Sequence, residues 1–371
     1  MNKRKISIIC PLYCGNKYVS KIVGMINKCV KISNNSYDFE LIFVNDYPLE
    51  RIYIEDIEKE CNIFVINNDI NVGIHQSRIN GLKIANGDYI LFLDQDDEIK
   101  ENYFISQLEK MKDADAVVCN GIWRKNKKIY ENEEMQRKGV LEKYFFSYII
   151  SPGQVLMKNN VPITWKENVI SVNGCDDAYL WNLMKINKMK FEINQEVLYI
   201  HNEVDNTNAS CDFLKMYESF EEVCAFLEKE DLNNLKKDEL LIVKKNELRR
   251  YSSYILLQKS LDIGMQQIEQ LLNKINKMKI KNIAIYGYGY FGKKLHCFLR
   301  ENSIEILYAI DEKKDNYIST ETLIYKPNEL LPVCDIVIVT PIMEYDTIVS
   351  KYKSDSTGIW IAMNDFLEMN F

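Results

Sequence analysis

The sequence lacks three features that would each assign it to a class of protein. No stretch approaches about 20 consecutive apolar residues, the length that a membrane-spanning helix needs, so we expect no membrane span. The ten cysteines include no C-x-x-C pair, the spacing found in many zinc sites and in thioredoxin-type redox motifs. The apolar run that follows Met1 is only as long as a strand and no A-x-A cleavage site follows it, so we expect no signal peptide. These absences predict a cytoplasmic protein with reduced thiols.

An excess of basic residues is also missing. The 371 residues carry a net charge of −7, whereas proteins that bind nucleic-acid phosphates are usually basic, so we expect no nucleic-acid partner. Hydrophobic residues make up 47% and charged residues 27% of the chain, which is typical of globular proteins. A chain of this length usually divides into two or three domains.

Residues 5–120 alternate between short apolar runs and helical patterns. Such alternation indicates an open α/β sheet, in which parallel strands are covered by helices on both faces. Helical patterns lie at Tyr18–Val30 and at Ile74–Ala85, the second between Gly73 and Gly87. The predicted strands are Ile6–Cys10, Glu40–Val44, Ile63–Ile66, Tyr89–Leu93 and Ala116–Cys119.

The remainder of the chain divides into segments of different character. Residues 139–211 are less regular, and residues 212–279 carry long helical patterns without proline. The basic, polar stretch at 275–281 is typical of a linker, and a second alternation of strand and helix follows it. We therefore predict a first α/β domain at 1–211, a helical connector at 212–279 and a second, smaller α/β domain at 280–371.

Polar groups follow three of the predicted strands in the first domain. They are Pro11 to Tyr13, Asn45–Asp46 and Asp94 to Asp97. Ligands of open parallel sheets bind outside the carboxyl ends of the strands. Carboxylates there suit Mg²⁺ or Mn²⁺ that bridges to substrate phosphates, and Tyr13 with Asp46 would suit a flat base. Aspartates after strands also form turns and cap helices, but independent turns have no reason to collect at one edge.

These segments resemble the family 2 glycosyltransferases. ISIICPLYCGNKYV is similar to the family's opening strand with P-x-Y-N, and ELIFVNDYP is similar to its V-D-D-G-S segment. NVGIHQSRINGLKIANGDYILFLDQDD is similar to the pattern N-x-G-x-x-x-A-R-N-x-G…G-x-Y-I-x-F-L-D-x-D-D. The resemblance covers about residues 4–105 and extends more faintly to about residue 210. It implies a GT-A fold and transfer of a sugar from a nucleotide-diphosphate donor, with a UDP-sugar as the expected donor.

The resemblance also implies roles for individual residues. Asp46 would hold the base, Arg78 would approach the nucleotide or its diphosphate, and Asp96 would bind the divalent cation. The residues implied to bind the nucleotide sugar are Pro11, Tyr13, Asp46, Arg78, Asp94 and Gln95. From the residue type alone, the alternative for Arg78 is a solvated position on a helix. The departures from the family pattern, which bear on the choice of nucleotide, are Cys14, Asn45 and Tyr47–Pro48.

Inverting sugar transfer needs a carboxylate that takes the proton of the acceptor hydroxyl. VNGCDDAYLWNLMKINKM, at Val172–Met189, resembles the family's E-D motif at the start of a helix. The match implies that Asp177 is the catalytic base, with Asp176 in place of the usual glutamate. Alternatively, both aspartates only cap the helix and interact with its dipole. His201 follows a strand-like segment, where family members sometimes carry a metal- or diphosphate-binding group, and is the second candidate metal ligand.

The second domain begins with a glycine-rich turn between a strand and a helix. Gly287, Gly289 and Gly292 have the spacing G-x-G-x-x-G, and Asp311 lies where a ribose-binding acid is expected. These residues predict a Rossmann-like fold and a candidate second nucleotide site; a docking module is the alternative. An NAD-dependent or sugar-nucleotide-modifying enzyme would need a catalytic pair such as Tyr-x-x-x-Lys near the nicotinamide, and the sequence offers no convincing pair.

Leu235–Leu261 mixes basic pairs with apolar residues at helical spacing. Such a helix either lies on an anionic membrane or packs with a solvated face. Many family members act on lipid-linked acceptors, so peripheral contact with the inner face of the membrane is one expectation. The leading prediction is a metal-dependent inverting glycosyltransferase with a glycan or lipid-linked acceptor in polysaccharide or glycoconjugate biosynthesis. A binding protein with a degenerate transferase domain is disfavoured because the aspartate cluster is intact.

Overall fold

The computed structural model divides the chain into two compact units. They are Met1–Leu248 and Arg249–Phe371, and the division falls inside the connector predicted at 212–279. None of the helices within the described ranges is sufficiently long and apolar to cross a membrane. The described residues are 3–34, 36–54, 57–123, 127–129, 149, 151–202, 212–232, 234–261, 265–312, 314–316, 322–353 and 357–369.

The first unit alternates strands and helices, and it contains the five strands and two helices predicted above. The strands are β1 (Arg4–Leu12), β2 (Tyr37–Asn45), β3 (Asn62–Asn67), β4 (Tyr89–Phe92), β5 (Glu98–Ile99), β6 (Ala116–Trp123), β7 (Lys127–Lys128), β8 (Val155–Lys158) and β9 (Phe191–Ile200). The helices are α1 (Asn16–Ile32), α2 (Ile74–Ile84), α3 (Tyr103–Met111), α4 (Ile163–Glu167), α5 (Asp176–Ile186), α6 (Phe213–Leu227) and α7 (Asn234–Leu261). Helix α7 extends past the division between the units.

A mixed sheet organises the first unit. Its order over the described residues is β3–β2–β1–β4–β8–β6–β9–β5, and β7 pairs with β6. β1 pairs in parallel with β2 and β4, and β2 pairs in parallel with β3. β8 runs antiparallel to both β4 and β6. The register places Leu12 opposite Asn45, so β1 and β2 end together, and the chain leaves β4 at the same edge.

Helix α1 shows how the parallel half is stabilised. Val19, Ile22, Val23 and Ile26 are buried, and their spacing of three to four residues places them on one face of the helix. That face joins a core that includes side chains from β1, β2 and β4. Burial of this kind fixes the ends of the strands, and the candidate site residues follow those ends.

The second unit is a smaller α/β domain. Its elements are α8 (Met265–Lys277), β10 (Ile283–Tyr286), α9 (Tyr290–Glu301), β11 (Ile306–Ile310), β12 (Ile324–Tyr325), β13 (Cys334–Val339), α10 (Tyr345–Tyr352), β14 (Thr357–Ala362) and α11 (Met363–Leu367). Over the described ranges, the strands form a five-stranded parallel sheet in the order β12–β11–β10–β13–β14. The chain starts in the middle, winds outward to one side and then to the other, as in the Rossmann fold. A second parallel sheet at the C-terminus is therefore present, and its assignment as a Rossmann-like domain stays a prediction.

Candidate active site

An aromatic pair lies at the end of β1. Tyr13 is 50% exposed, and its ring centroid lies 5.2 Å from that of Tyr47. Gln95 fixes the backbone of Tyr13: its side-chain oxygen accepts from the Tyr13 N–H at 3.0 Å, and its amide donates to the Tyr13 carbonyl at 3.2 Å. Pro11 lies in β1, two residues earlier. The structure thus brings Pro11, Tyr13 and Gln95 together, and Tyr47 adds a second ring where the family pattern has Gly-Ser.

Asp46 holds the loop that leads into α2. One carboxylate oxygen accepts from the N–H of Val72 at 2.8 Å and from the side chain of Asn68 at 2.9 Å. The other accepts from the N–H of Gly73 at 2.9 Å. Asp46 is buried, so its structural task is to set the entry to α2. Contact with a nucleotide base stays a prediction.

Arg78 joins carboxylates from two separate elements. Its guanidinium lies 2.5 Å from Asp94, which follows β4, and 2.5 Å from Asp176 in the first turn of α5. The side chain of Arg78 is only 3% exposed, so the alternative of a solvated position on the helix is wrong. Because the guanidinium is planar and carries several donors in a fixed arrangement, it can bind two carboxylates at once. Its predicted contact with a diphosphate stays a prediction.

The carboxylates after β4 crowd one another. Burial raises the pKa of Asp94, although the ion pair with Arg78 opposes the shift. Burial, followed by the charges of Asp97 and Asp94, raises the pKa of Asp96 to about 6. The sequence therefore predicted the position of the negative charge correctly. Arg78 compensates Asp94 directly through an ion pair, whereas the raised pKa of Asp96 shows that burial and the neighbouring carboxylates outweigh the groups that oppose them.

Asp97 is the best-bonded member of this group. Its carboxylate accepts from the hydroxyl of Tyr199, from the hydroxyl of Ser151 at 3.2 Å and from the N–H of Asn202 at 3.0 Å. The two hydroxyls share one carboxylate oxygen. The Nδ1 atom of His201 lies 3.2 Å from the other oxygen, the one that accepts from Asn202. These partners come from the end of β9 and from the turn before β8. The sequence patterns assigned no site role to Asp97, because its partners lie far away along the chain.

The two predicted metal ligands lie near each other. The charge of His201 lowers the pKa of Asp96 and so opposes the larger effect of burial. The backbone carbonyl of Asp96 also accepts from the side chain of Asn202, the residue after His201. Among the residues that the structure describes, no group of three or more His, Cys, Asp or Glu is arranged to hold a metal ion. A cation at Asp96 and His201 would therefore need further oxygen ligands from the substrate or from water.

The predicted base lies beside the Arg78 ion pairs. Asp177 follows Asp176 in the first turn of α5, and its carboxylate accepts from the N–H of Ala178 at 2.6 Å. Burial and then the charge of Asp176 raise the pKa of Asp177 to about 7, while Arg78 opposes the shift. Asp94 also contributes to the increase, and Arg78, which pairs with both Asp94 and Asp176, brings these carboxylates to one place. A carboxylate with this pKa can exchange a proton near neutral pH.

His75 is structural, as is the tryptophan that it contacts. The ring of His75 lies 4.3 Å from that of Trp165, and both residues are buried. One ring nitrogen is 3.1 Å from the Trp165 carbonyl, and the other accepts from the N–H of Ile170 at 3.0 Å. Trp181 is also buried, so neither tryptophan presents a face for a sugar ring. These contacts attach α2 to the segment that leads to α5.

Asp311 is hydrogen-bonded to the glycine-rich turn of the second unit. The Asp311 carboxylate accepts from the N–H of Tyr288 at 2.8 Å. Gly287 has φ +85°, and a Cβ atom at Gly292 would lie 2.1 Å from the Gly287 carbonyl oxygen. A Cβ atom at Gly289 would meet no atom within 4 Å. The predicted residues thus form one turn with the expected packing, and its binding of a nucleotide stays a prediction.

The family model of glycosyl transferase family 2 matches residues 7–166. This range runs from within β1 to beyond β8 and contains all the residues predicted to bind the nucleotide sugar. The resemblance to this family that the sequence predicted is therefore confirmed over residues 7–166. The second unit lies outside the matched range.

Sequence relatives with glycosyltransferase names each match about a third of the chain. An uncharacterized glycosyltransferase of Haemophilus influenzae is 34% identical over 125 residues, which are 33% of this chain and 48% of the relative. Glycosyltransferase GlyG of Streptococcus pneumoniae is 29% identical over 120 residues, 31% of this chain and 38% of the relative. Poly(ribitol-phosphate) beta-N-acetylglucosaminyltransferase TarS of Staphylococcus aureus is 29% identical over 117 residues, 31% of this chain and 19% of TarS. The chain thus spans less than half the length of each relative.

A solved structure has the same fold. The crystal structure of S. aureus TarS residues 1–349 in complex with UDP-GlcNAc superposes with a TM-score of 0.51 and 16% identity. The alignment covers 82% of this chain and 84% of that one. At this identity the likeness concerns the fold, and it confirms the GT-A architecture predicted from the sequence. The comparison thus assigns the GT-A fold to the chain.

Proposed function

We propose that the chain transfers a sugar from a nucleotide diphosphate, with UDP as the nucleotide, to an acceptor hydroxyl with inversion at the anomeric carbon. The observation that carries the proposal is the pair of contacts made by Arg78. They join Asp94 on the donor side to Asp176, and hence to the neighbouring Asp177, on the acceptor side. A glycosyltransferase needs the groups that bind the donor and the base that activates the acceptor at the same anomeric carbon.

The donor would lie at the edge where β1, β2 and β4 end. Tyr13 and Tyr47 offer aromatic surface for a base, Gln95 holds the backbone of Tyr13, and Pro11 would line the same pocket. Asp46 and the loop before α2 would form the other side of the nucleoside pocket. The UDP-GlcNAc bound by the structurally similar TarS supports a UDP-sugar as donor. Asp94 would contact the ribose or the donor sugar.

A divalent cation, Mn²⁺ or Mg²⁺, fits the residues at this edge. The raised pKa of Asp96, which burial and its carboxylate neighbours cause, marks negative charge that a cation would relieve. Asp96 and His201 would hold the ion, and oxygen atoms of the diphosphate would complete its coordination, as is common for Mg²⁺. When bound, the cation would supply positive charge to stabilise the leaving diphosphate.

Asp177 would act as the catalytic base. Its carboxylate would take the proton of the acceptor hydroxyl while the hydroxyl oxygen forms a bond to the anomeric carbon on the face opposite the diphosphate. The bond between that carbon and the diphosphate oxygen would break, and its electron pair would leave with the nucleotide. The pKa of about 7, raised by burial, suits a base that works near neutral pH.

The acceptor would be a glycan or a lipid-linked saccharide on the pathway to a surface polysaccharide or glycoconjugate. The name of TarS, a poly(ribitol-phosphate) N-acetylglucosaminyltransferase, supports a polymeric acceptor. Contact with the inner face of the membrane would bring such an acceptor within reach of a cytoplasmic enzyme. Leu241 and Ile242 of α7 are 64% and 60% exposed, and Lys245 beside them is exposed, as expected for a membrane-facing helix. Flotation of the full chain with anionic vesicles, compared with a Leu241→Ser/Ile242→Ser variant, tests this contact.

Sugar transfer is tested with a panel of nucleotide sugars, with and without Mn²⁺. We expect thermal stabilisation by one UDP-sugar together with Mn²⁺ and slow release of its sugar to water or to an added acceptor. Asp177→Asn should retain donor binding and lose turnover. Asp96→Asn should lose the donor stabilisation and the turnover that Mn²⁺ provides. NMR of the first product gives the anomeric configuration. A retained configuration, or full turnover by Asp177→Asn, would contradict the mechanism.

A nucleotide site in the second unit is a second proposal, supported by the turn from Gly287 to Gly292 and by Asp311. NAD and free nucleotides belong in the same panel. Stabilisation by NAD that Gly289→Val removes, with no effect of the substitution on UDP-sugar binding, would support a separate site and the alternative of a nucleotide-modifying activity. Absence of any such stabilisation would leave the second unit with a docking role.

A further inference from the structure

The side chain of Asn45 closes the turn that follows β2. Tyr47 to Glu50 form a β-turn, in which the N–H of Glu50 donates to the carbonyl of Tyr47 at 3.1 Å. Asn45 bonds to both ends of this turn: its side-chain oxygen accepts from the N–H of Tyr47 at 3.2 Å, and its amide donates to the carbonyl of Glu50 at 2.7 Å. Pro48 occupies the second position of the turn, where its fixed φ is favoured. Three hydrogen bonds therefore hold the turn, and two of them come from Asn45.

An asparagine is needed for this arrangement, although the family pattern V-D-D-G-S has an aspartate at this position. The second amide proton of Asn45 is donated to the side-chain oxygen of Asn67 at 3.0 Å, and Asn45 is buried. An ionised aspartate only accepts hydrogen bonds, so at position 45 it would face the acceptor oxygens of Glu50 and Asn67 without a donor. The departures from the family pattern at Asn45 and at Tyr47–Pro48 therefore form one matched set.

The turn determines where the ring of Tyr47 lies. Its centroid is 5.2 Å from that of Tyr13, and the two ring planes meet at 66°. A base stacked between two rings would need them about 7 Å apart, twice the usual contact distance between carbon atoms, so the rings form a single surface, here called the aromatic wall. Tyr13 remains 50% exposed, and Gln95 holds its backbone. Tyr47 thus supports an exposed ring on which a flat group can stack.

We propose that Asn45 is a positioning residue for donor binding, because it fixes the turn that carries Tyr47 against Tyr13 and so builds the aromatic wall. The inference rests on the proposed function, in which this pocket receives the base of the nucleotide donor. The buried side chain of Asn45 bonds to the protein and acts on the donor only through the wall. Its effect is therefore confined to ligands that carry a base.

Two ligands separate the base from the rest of the donor. Isothermal titration calorimetry with Mn²⁺ measures the binding of UDP and of ribose 5-diphosphate, which lacks the base, to the full chain. Asn45→Asp keeps the acceptor for the Tyr47 N–H and loses both donors. We expect it to weaken UDP binding about 3- to 10-fold, the size typical of one aromatic contact, and to leave the binding of ribose 5-diphosphate unchanged. An equal loss for both ligands would overturn the positioning role.

Asn67→Asp is the matched control for the charge that Asn45→Asp introduces. Asn67 is the partner of Asn45 in the pairing of β2 with β3 and is exposed, and an aspartate there still accepts from the Asn45 amide. We expect this variant to bind UDP as the wild type does. A loss as large as that of Asn45→Asp would assign the effect to charge and would overturn the proposal.

Tyr47 provides a test that does not depend on the folding of an Asn45 variant. Its hydrogen bonds in the turn are made by the backbone, so Tyr47→Ala removes the ring and leaves those bonds possible. We expect Tyr47→Ala to weaken UDP binding about 3- to 10-fold, and Tyr47→Phe to bind UDP as the wild type does. In the Tyr47→Ala background, Asn45→Asp should cause no further loss, because the two residues act as one unit. A further loss there would overturn the proposal.

The outcomes distinguish this inference from the proposed function. If the wild type bound neither UDP nor another nucleoside diphosphate in the presence of Mn²⁺, the proposed transferase would be contradicted, and the inference with it. If the wild type bound UDP and ribose 5-diphosphate equally well, or if Tyr47→Ala bound UDP normally, the role of the aromatic wall and of Asn45 would be overturned while the proposed function would stand.

Discussion

Arg78 and Asp176 form an ion pair of 2.5 Å that ties the middle of α2 to the first turn of α5. The other side of the same guanidinium holds Asp94 after β4. Elements that lie almost 100 residues apart in the chain are therefore joined by one buried cation. The donor-side carboxylate and the proposed base consequently keep a fixed relation to each other, which is what transfer between two substrates requires.

Replacement of Arg78 by methionine should destabilise the first unit strongly. Two buried carboxylates would lose their cation, and removal of one partner from a buried ion pair typically costs about 3–5 kcal/mol. Arg78→Lys should cost less than Arg78→Met, because the charge remains although one ammonium group cannot match both carboxylates as the guanidinium does. Urea unfolding at pH 8 measures the change in the free energy of unfolding.

Lys83→Met is the matched control, since Lys83 is an exposed residue on the same helix. It should change the free energy of unfolding by less than about 0.5 kcal/mol. If Arg78→Met were no more harmful than this control, Arg78 could not be the cation that compensates Asp94 and Asp176.

Asp177→Asn should stabilise the protein at alkaline pH and have little effect in acid. The pKa of Asp177 is raised by burial to about 7 in the folded protein, above its ordinary value of about 4 in an unfolded chain. The unfolded state therefore loses this proton first, and the carboxylate reduces folding stability progressively as the pH rises from about 4 to above 7. Asparagine removes this loss while it can still accept from the Ala178 N–H.

The measurement is the difference in the free energy of unfolding between variant and wild type at pH 5 and at pH 8.5. We expect the variant to gain about 1–3 kcal/mol relative to the wild type between these pH values. Asp176→Asn provides the contrast: it removes a partner of Arg78 and should destabilise the protein at pH 8.5. A gain for Asp177→Asn that is independent of pH would show that the carboxylate titrates normally.

The sequence predicted the edge of the sheet more completely than the contacts along it. Apolar runs specify buried strands, and their ends specify where Asp46, Asp94 and Asp96 collect. Ion-pair partners are not specified in this way: Arg78 meets Asp176 only because the fold brings the middle of α2 next to the first turn of α5. The ring of Tyr47 beside Tyr13 and the bonded state of Asp97 likewise depend on neighbours that are distant in the chain.

The sequence patterns also did not predict the antiparallel part of the first sheet. β8 has only four residues, and it pairs with β4 and β6 through segments about 40 to 65 residues away. Its hydrophobic run follows Pro152 and Gly153, so local patterning predicted an irregular segment there. The sequence patterns also did not locate the division between the two units. Helix α7 continues across that division, so no local signal marks it.

Gly73→Ala and Gly24→Ala should have opposite effects on stability. Gly73 has φ +85°, and an added Cβ would lie 2.7 Å from the Asn173 side-chain oxygen, so alanine there should cost about 1–3 kcal/mol through backbone strain. Gly24 lies inside α1, and an added Cβ would meet no atom within 4 Å, so alanine should stabilise by about 0.5–1 kcal/mol. Thermal unfolding of the two variants tests the prediction. Equal effects would mean that the entry to α2 tolerates a side chain.

Gly292→Val should damage the second unit and leave sugar transfer by the first unit intact. A Cβ atom at this position would lie 2.1 Å from the Gly287 carbonyl oxygen, and backbone cannot move aside as a flexible side chain can, so we expect a loss of about 1–3 kcal/mol or more. Gly289→Ala is the control, because its Cβ would meet no atom within 4 Å. Calorimetry should show a lower unfolding temperature for Gly292→Val and an unchanged one for Gly289→Ala. Donor turnover should match the wild type in both variants if the family 2 domain is self-sufficient, and its loss in Gly292→Val would make the second unit part of the active enzyme.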